Sequence, residues 1–301
     1  MRKGREKRMD KQFRYIQAIH SVYPDFNIEA VQFNQQGQFN DILLVNGETI
    51  FRFPKTQREA SRLVTETGLL RSLQSHVTLS IPDPLYYSEE NASIGQVFMG
   101  YRLLPGEPLW PETLRAITDE EQLQHVANQL ASFLKCLHAI PAETLAVRLP
   151  DFQGSEEWRD LYDRFRGNLF PFMRPDARLE VTKHFEDFLS DEANSSYTPA
   201  LIHSDFGPGN ILYDTRTNSI SGIIDFSSAG WGDPAVDFAA LLCSVSYGEQ
   251  FLERFTPIYP LTEAILSRAK FYAGTFALQE ALYGLEDGDP EAFERGIAEY
   301  R

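Results

Sequence analysis

The chain has 301 residues, 43% hydrophobic and 24% charged, with a formal net charge of −15. That length supports a buried core and two lobes, no apolar run reaches the length of a bilayer, and the acidity argues against nucleic acid and suits a cationic small ligand. Its two cysteines, Cys136 and Cys243, sit in apolar stretches and are too few for a disulfide framework or a zinc cluster, so a reducing cytoplasm is expected.

The basic start, residues 1–13, has no continuous apolar stretch behind it and reads as the solvated end of a first helix, not a secretory signal. Residues 41–45 and 48–53 are strand-like and flank Asn46-Gly47, a pair that accepts the positive φ angles of a type I′ turn. Pro54 ends the second strand because it has no N–H for a ladder. A helix follows over 56–74, with Ala60, Leu63, Val64, Leu70 and Leu73 on one stripe. Glu66 falls on or beside that stripe. It is either a buried carboxylate that needs a cation or an edge-of-stripe side chain in solvent. Residues 84–87 and 96–103 read as further strands, and the breaker-rich 104–108 as a hinge.

Beyond the hinge the periodicity turns helical. Residues 118–121 form a capping-box pattern opening a helix to about 139, and further helices are expected near 156–170, 178–190, 234–246, 262–284 and 290–300. The chain therefore divides into an N-terminal lobe, 1–104, built on a small antiparallel sheet, and a mostly helical C-terminal lobe, 105–301. No internal repeat or low-complexity linker interrupts it.

Chemistry concentrates between 201 and 226. His203-x-Asp205 is followed by Gly207-Pro208-Gly209, which forces irregular backbone, and then by Asn210 at the start of an apolar strand. The chain returns through a turn at 214–218 and ends a second strand at Asp225-Phe226. A hairpin centred between Thr217 and Asn218 sets Asn210 opposite Asp225, so an amide oxygen and a carboxylate converge beside the Asp205 loop. Hard oxygens of this kind suit Mg²⁺, which takes one or two carboxylates along with phosphate oxygens and water. Asp205 is then left to orient a hydroxyl and accept its proton, the division of labour of kinase phosphoryl transfer. His203 reads as a structural residue of the loop.

These blocks resemble the aminoglycoside phosphotransferase superfamily, small-molecule kinases with a protein-kinase-like α+β fold. The segments 50–73, 98–109, 201–214 and 222–238 carry the likeness, which runs from about Gln32 to the end and is nearest to the 2″-phosphotransferase group. The resemblance implies a cytoplasmic, monomeric antibiotic-resistance kinase that uses ATP or GTP with Mg²⁺. It implies Asp205 as catalytic base, Asn210 and Asp225 as metal ligands, and Glu66 as partner of the cation that contacts the nucleotide. Backbone near Arg102 and Leu104 is expected to meet the nucleobase, and the phosphate loop falls on 35–40 with the single glycine Gly37.

Three departures stand out. Arg52 occupies the place of the family's lysine, with Lys55 as a second cation that reads as solvated. The phosphate loop lacks a G-x-G-x-x-G. The acceptor side is poor in acids, leaving Asp233, Glu249 and Glu280, with Glu286 beside them, as candidate substrate contacts; Asp237 reads as a brace for the catalytic loop. The apolar, aromatic stretch 271–284 reads as plain core or as the lining of a pocket for a less polar acceptor such as a macrolide; a macrolide or endogenous-metabolite kinase is the alternative, and Arg52 motivates a nucleotide-binding pseudoenzyme as a further one.

Overall fold

A computed structural model describes residues 2–35, 37, 39–89, 92–152, 154–243 and 246–301. In chain order the first elements are α1 (Arg2–Val22), β1 (Val31–Asn34), β2 (Asn40–Val45), β3 (Thr49–Pro54), α2 (Gln57–Leu73), β4 (Tyr86–Tyr87), β5 (Met99–Arg102) and β6 (Glu107–Pro108). Then come α3 (Pro111–Arg115), α4 (Glu120–His138), α5 (Gly154–Asn168), α6 (Pro175–Ser190), β7 (Ala200–Ile202), β8 (Ile211–Asp214), β9 (Ser219–Ile223) and β10 (Gly230–Gly232). The chain closes with α7 (Ala235–Leu242), α8 (Glu249–Glu253), α9 (Glu263–Ala273), α10 (Phe276–Asp287) and α11 (Pro290–Ile297). Two compact units form, one from Met1–Pro108, Pro141–Leu149 and Ile211–Ser227, the other from Leu109–Ile140, Pro150–Asn210 and Ser228–Arg301. No helix of the described residues is long and apolar enough to cross a membrane.

The first unit is a five-stranded antiparallel sheet in the order β1-β2-β3-β5-β4. Asn46 and Gly47 both take positive φ, 53° and 74°, as the turn requires. The ladder opens at Val45–Thr49, so Glu48 is one residue more than the expected two-residue loop. Alternation along the strands sends Leu43, Phe51 and Phe53 into a core that α1 covers with Tyr15 and Ile19, Tyr15 stacking on Phe53 at 3.9 Å. Helix α2 begins where the Thr56 hydroxyl accepts the Glu59 N–H, satisfying one of the unpaired amides of the first turn.

A second sheet in this unit has the order β6-β8-β9. Gly106 leads into it with φ 96°, and a Cβ there would meet the Tyr213 carbonyl at 2.6 Å, so the close approach requires glycine. The β8–β9 register differs from the symmetric hairpin. Asp214 accepts the Arg216 N–H at 2.9 Å and closes the turn early, and Ser221 bulges, so pairing runs from Asp214–Ser219 to Ile211–Ile223. Asn210 is not the first residue of the strand; it closes a 3₁₀ turn, Pro208–Asn210.

The second unit is helical around the short antiparallel pair β7–β10, against which α4 packs. The cap of α4 is Asp119, one residue later than the pattern suggested, because its carboxylate reaches the amides of both Glu121 and Gln122. The helix expected over 262–284 is two, α9 and α10. The break falls at Gly274-Thr275, where His184 packs so closely that a Cβ on Gly274 would lie 2.8 Å from its ring. Phe271 stacks on Phe188 at 3.6 Å and anchors α9 to α6.

Candidate active site

In the first unit, the alternation of β3 turns Arg52 inward, and the 3.6-residue period of α2 brings Glu66 to meet it. The Arg52 guanidinium donates to Glu66 Oε1 at 2.6 Å and lies 3.6 Å from Asp225 Oδ1; the two partners are 7% and 2% exposed as Arg52 and Glu66. Burial opposes charge on Arg52, but the neighbouring Glu66, Tyr101 and Asp225 outweigh it and raise its pKa, so it stays a cation. Burial pushes Tyr101 up to about 12, with Arg52 opposing.

Glu66 Oε1 also accepts the Phe226 N–H at 3.2 Å, which ties α2 to the segment after β9. Asp225, just before it, holds φ at 62°, a left-handed conformation that aspartate tolerates better than most residues. The cluster sets one cation against two carboxyl groups, and burial pushes the Glu66 carboxyl above its ordinary range with Arg52 opposing. Glu66 Oε2 is buried without a hydrogen-bond partner among the described residues, while the Asp225 side chain is 42% exposed. These hard oxygens fit a divalent cation. Among the described residues no three His, Cys, Asp or Glu side chains gather into a cage, and Mg²⁺ completes its shell with phosphate oxygens and water.

In the second unit, β7 runs into the loop that carries Asp205. Asp237, fully buried near the start of α7, accepts the backbone N–H groups of His203 at 2.9 Å and Ser204 at 2.7 Å. His138 of α4 holds the same carboxylate through Nε2 at 3.0 Å and meets the Tyr259 hydroxyl through Nδ1 at 3.0 Å. This is the geometry of a brace, and Ser204 takes φ 69° under it. The buried His203 accepts the Asp205 N–H through Nδ1 at 3.3 Å, and Phe206 is buried and stacks on Phe133. Asp205 between them is exposed. Asn210 Nδ2 donates to Asp205 Oδ2 at 2.8 Å and to its carbonyl at 2.9 Å, so the amide nitrogen is committed to Asp205 and the carbonyl oxygen Oδ1 is the atom left to act as a donor ligand.

Beside this loop the second unit holds a cavity of about 360 Å³ that reaches Ser204, the residue before Asp205. Trp158, Tyr197 and Tyr272 form an aromatic wall, and Glu157 and Asp160 of α5 add two carboxylates. Partial burial and then Asp160 push the Glu157 carboxyl above its ordinary range. Asp233 lines the same cavity but is saturated: Arg268 donates to both of its oxygens, at 2.5 and 3.1 Å, and the Tyr272 hydroxyl donates at 2.8 Å.

The remaining sequence candidates fall elsewhere. Glu249 pairs with Lys270 and Glu280 with Arg295, both at 2.8 Å, and Glu286 pairs with Arg164 at 2.6 Å; none of the three lines this cavity. Arg102 ends β5 with its side chain exposed, and Leu104 packs against Gly222. Gly37 is half-buried, and its loop neighbours Gln36 and Gln38 lie outside the described residues, as do Ser244 and Val245 of the 240–248 stretch. Glu157 and Asp160 were not foreseen. Glu157 belongs to an acidic first turn of α5, which is common on helices with no ligand, and Asp160 follows beyond that turn with no distinguishing signal.

The sequence model of the phosphotransferase enzyme family matches residues 30–265. Viomycin phosphotransferase of Streptomyces vinaceus is 30% identical over 271 residues, covering 88% of this chain and 91% of that protein. The solved GDP complex of wild-type aminoglycoside 2'-phosphotransferase-IIIa superposes with a TM-score of 0.86 at 28% identity, covering 95% of this chain and 96% of that one. Macrolide 2'-phosphotransferase type I shares the fold, with a TM-score of 0.73 at 19% identity over 94% of each chain.

Proposed function

The chain belongs to the phosphotransferase enzyme family, and we propose that it transfers the γ-phosphate of ATP or GTP to a hydroxyl of a cationic small molecule. The observation that carries this reading is the acid-and-aromatic cavity that reaches Ser204, next to Asp205 in the chain. Glu157 and Asp160 supply the negative charge a cationic acceptor needs, and the aromatic faces of Trp158 and Tyr197 attract cations in their own right. Viomycin phosphotransferase and a kanamycin-bound aminoglycoside phosphotransferase among the relatives support the same class of acceptor.

Asp205 is the proposed base. It orients the acceptor hydroxyl and takes its proton as the oxygen bonds to the γ-phosphorus, while the bond from that phosphorus to the β–γ bridging oxygen breaks and the nucleoside diphosphate leaves. Asn210, donating to the Asp205 carboxylate, sets its orientation. Arg52, kept charged by Glu66, is proposed to stabilise the donor phosphates in place of a lysine; its planar fork can serve Glu66 and an anion together. Asn210 and Asp225 carry the oxygens proposed to hold Mg²⁺. When bound, the ion supplies positive charge against the donor phosphates.

The size and aromatic wall of the cavity also favour a second reading, in which the acceptor presents an apolar face, as a macrolide does. A monomer acting in the cytoplasm completes the proposal. The test is phosphate transfer measured with Mg²⁺, ATP or GTP, and a panel of aminoglycosides, viomycin-type peptides, macrolides and amino-alcohols. Turnover of a cationic member supports the first reading, and turnover of macrolides alone supports the second. Nucleotide binding without transfer to any member overturns both.

A further inference from the structure

Helix α3 is capped by an indole that stands in solvent. Trp110 is 52% exposed, while its chain neighbours Leu109 and Pro111 are both buried. The backbone is held on each side of it. The Tyr247 hydroxyl donates to the Leu109 carbonyl at 2.7 Å, and the Trp110 carbonyl accepts the Leu114 N–H at 3.0 Å. A large aromatic side chain on a fixed stretch of chain loses little freedom when a ligand covers it.

The indole rests against the loop that carries Asp205, and both belong to the second unit. A Cβ on Gly209 would lie 3.5 Å from Cη2 and 3.9 Å from Cζ3 of the ring. Gly209 adjoins Asn210, whose amide nitrogen reaches the Asp205 carboxylate at 2.8 Å. The loop is drawn tight by two backbone bonds of 2.9 Å, from the Gly207 N–H to the Asp205 carbonyl and from the Asn210 N–H to the Gly207 carbonyl. Ring, glycine and proposed base therefore share one compact loop.

Beside the ring the loop is bare. A Cβ on Gly207 would meet no atom of the described residues within 4 Å, and one on Gly209 would meet only the indole, at ordinary contact distance. Neither residue has the left-handed φ that favours glycine. A further use of glycine is to let a ligand approach the backbone closely. Two glycines that neither φ nor crowding requires thus leave an open strip, walled by an indole, on the loop of the base.

We infer, on the acceptor reading above, that Trp110 and the strip from Gly207 to Gly209 form a second wall of the acceptor site, on which a hydroxylated saturated ring packs while its hydroxyl meets Asp205. Such a ring has polar edges and apolar C–H faces. Its edge serves the carboxylate while a face covers the indole, and an ammonium group on the ring is drawn to the same aromatic surface. A ringless amino-alcohol has no face to offer. The carboxylates of the cavity select the charge of the acceptor, and Trp110 selects its shape.

The test compares full-length wild type with Trp110→Ala, Trp110→Phe and Gly207→Val, after melting curves have established which are folded. Donor and acceptor KM are measured separately with every member of the panel above that the wild type phosphorylates. For ring-bearing acceptors, Trp110→Ala is expected to raise acceptor KM at least fivefold and to leave donor KM within twofold. Trp110→Phe, which keeps an aromatic face, should recover most of the loss, and Gly207→Val, which fills the strip, should again raise acceptor KM alone. A smaller rise in Trp110→Ala overturns the inference, as does a parallel rise in donor KM. If Trp110→Ala does not fold, Gly207→Val decides, because its Cβ enters open space: an acceptor KM within twofold of wild type overturns the inference. A wild type that phosphorylates only ringless amino-alcohols overturns the inference and leaves the cationic-acceptor reading standing, whereas transfer to no member overturns both.

Discussion

Among the described residues are two buried arginine–carboxylate clusters, one in each unit, and they are built to opposite rules. In the second unit Asp233 is matched one to one by Arg268, and a tyrosine hydroxyl and the Ala235 N–H add further hydrogen bonds. Every demand of the buried charge is met within the protein. In the first unit Arg52 faces two carboxylates, one buried oxygen of Glu66 has no hydrogen-bond partner among the described residues, and Asp225 is partly open to solvent. A saturated cluster holds structure together. An unsaturated one keeps a buried polar atom without a partner, and that contrast is a better guide to function than burial or the presence of arginine alone.

Mutation can break this contrast at several points. The largest effect is expected at the exposed Asp205, where Asp205→Asn should lower kcat by about 10² to 10⁴ while nucleotide affinity measured by calorimetry stays near wild type. Equal loss of nucleotide affinity would move Asp205 out of the role of base. Next is the saturated cluster: Asp233→Ala strands a buried guanidinium and should cost about 3–5 kcal/mol in urea unfolding. If the folded fraction of that variant loses donor affinity instead, the cluster is not merely structural.

Arg52→Ala should raise donor KM about tenfold, the scale of one charged hydrogen bond, with Arg52→Lys recovering part of it. A rise in acceptor KM alone would contradict its assignment to the donor. The smallest effect is in the acceptor cavity. Glu157 has its carboxyl raised, so it gains a proton on acidification before an ordinary glutamate does. Acceptor KM for a cationic substrate should therefore rise severalfold as pH falls through that range, and Glu157→Gln should flatten the profile. A wild-type profile already flat would remove Glu157 from the acceptor site.

Much of this was legible in the residues. The Asn46-Gly47 turn and the stripe of α2 with Glu66 on it are local patterns, and short-range geometry turns them directly into structure. Other features were not. The symmetric reading of the β8–β9 hairpin failed because a side chain, Asp214, closed the turn early and Ser221 bulged, and neither event leaves a periodic trace. The helix over 262–284 looked continuous because Gly274 and Thr275 interrupt the pattern only mildly. At the break Gly274 packs against His184, ninety residues away in sequence.

By itself the sequence determined the order of strand-rich and helix-rich parts, the catalytic-loop motif and the presence of Arg52 where a lysine was anticipated, since all of these depend on neighbours a few positions apart. Tertiary structure alone decided which carboxylates share a space. It set Glu249 and Glu280 against surface cations, locked Asp233 to Arg268, turned Glu157 and Asp160 toward the cavity and bent Lys55 back onto a loop. The reason is physical: a charged side chain is assigned by the partner it meets across long sequence separations, and periodicity records only which face it leaves from.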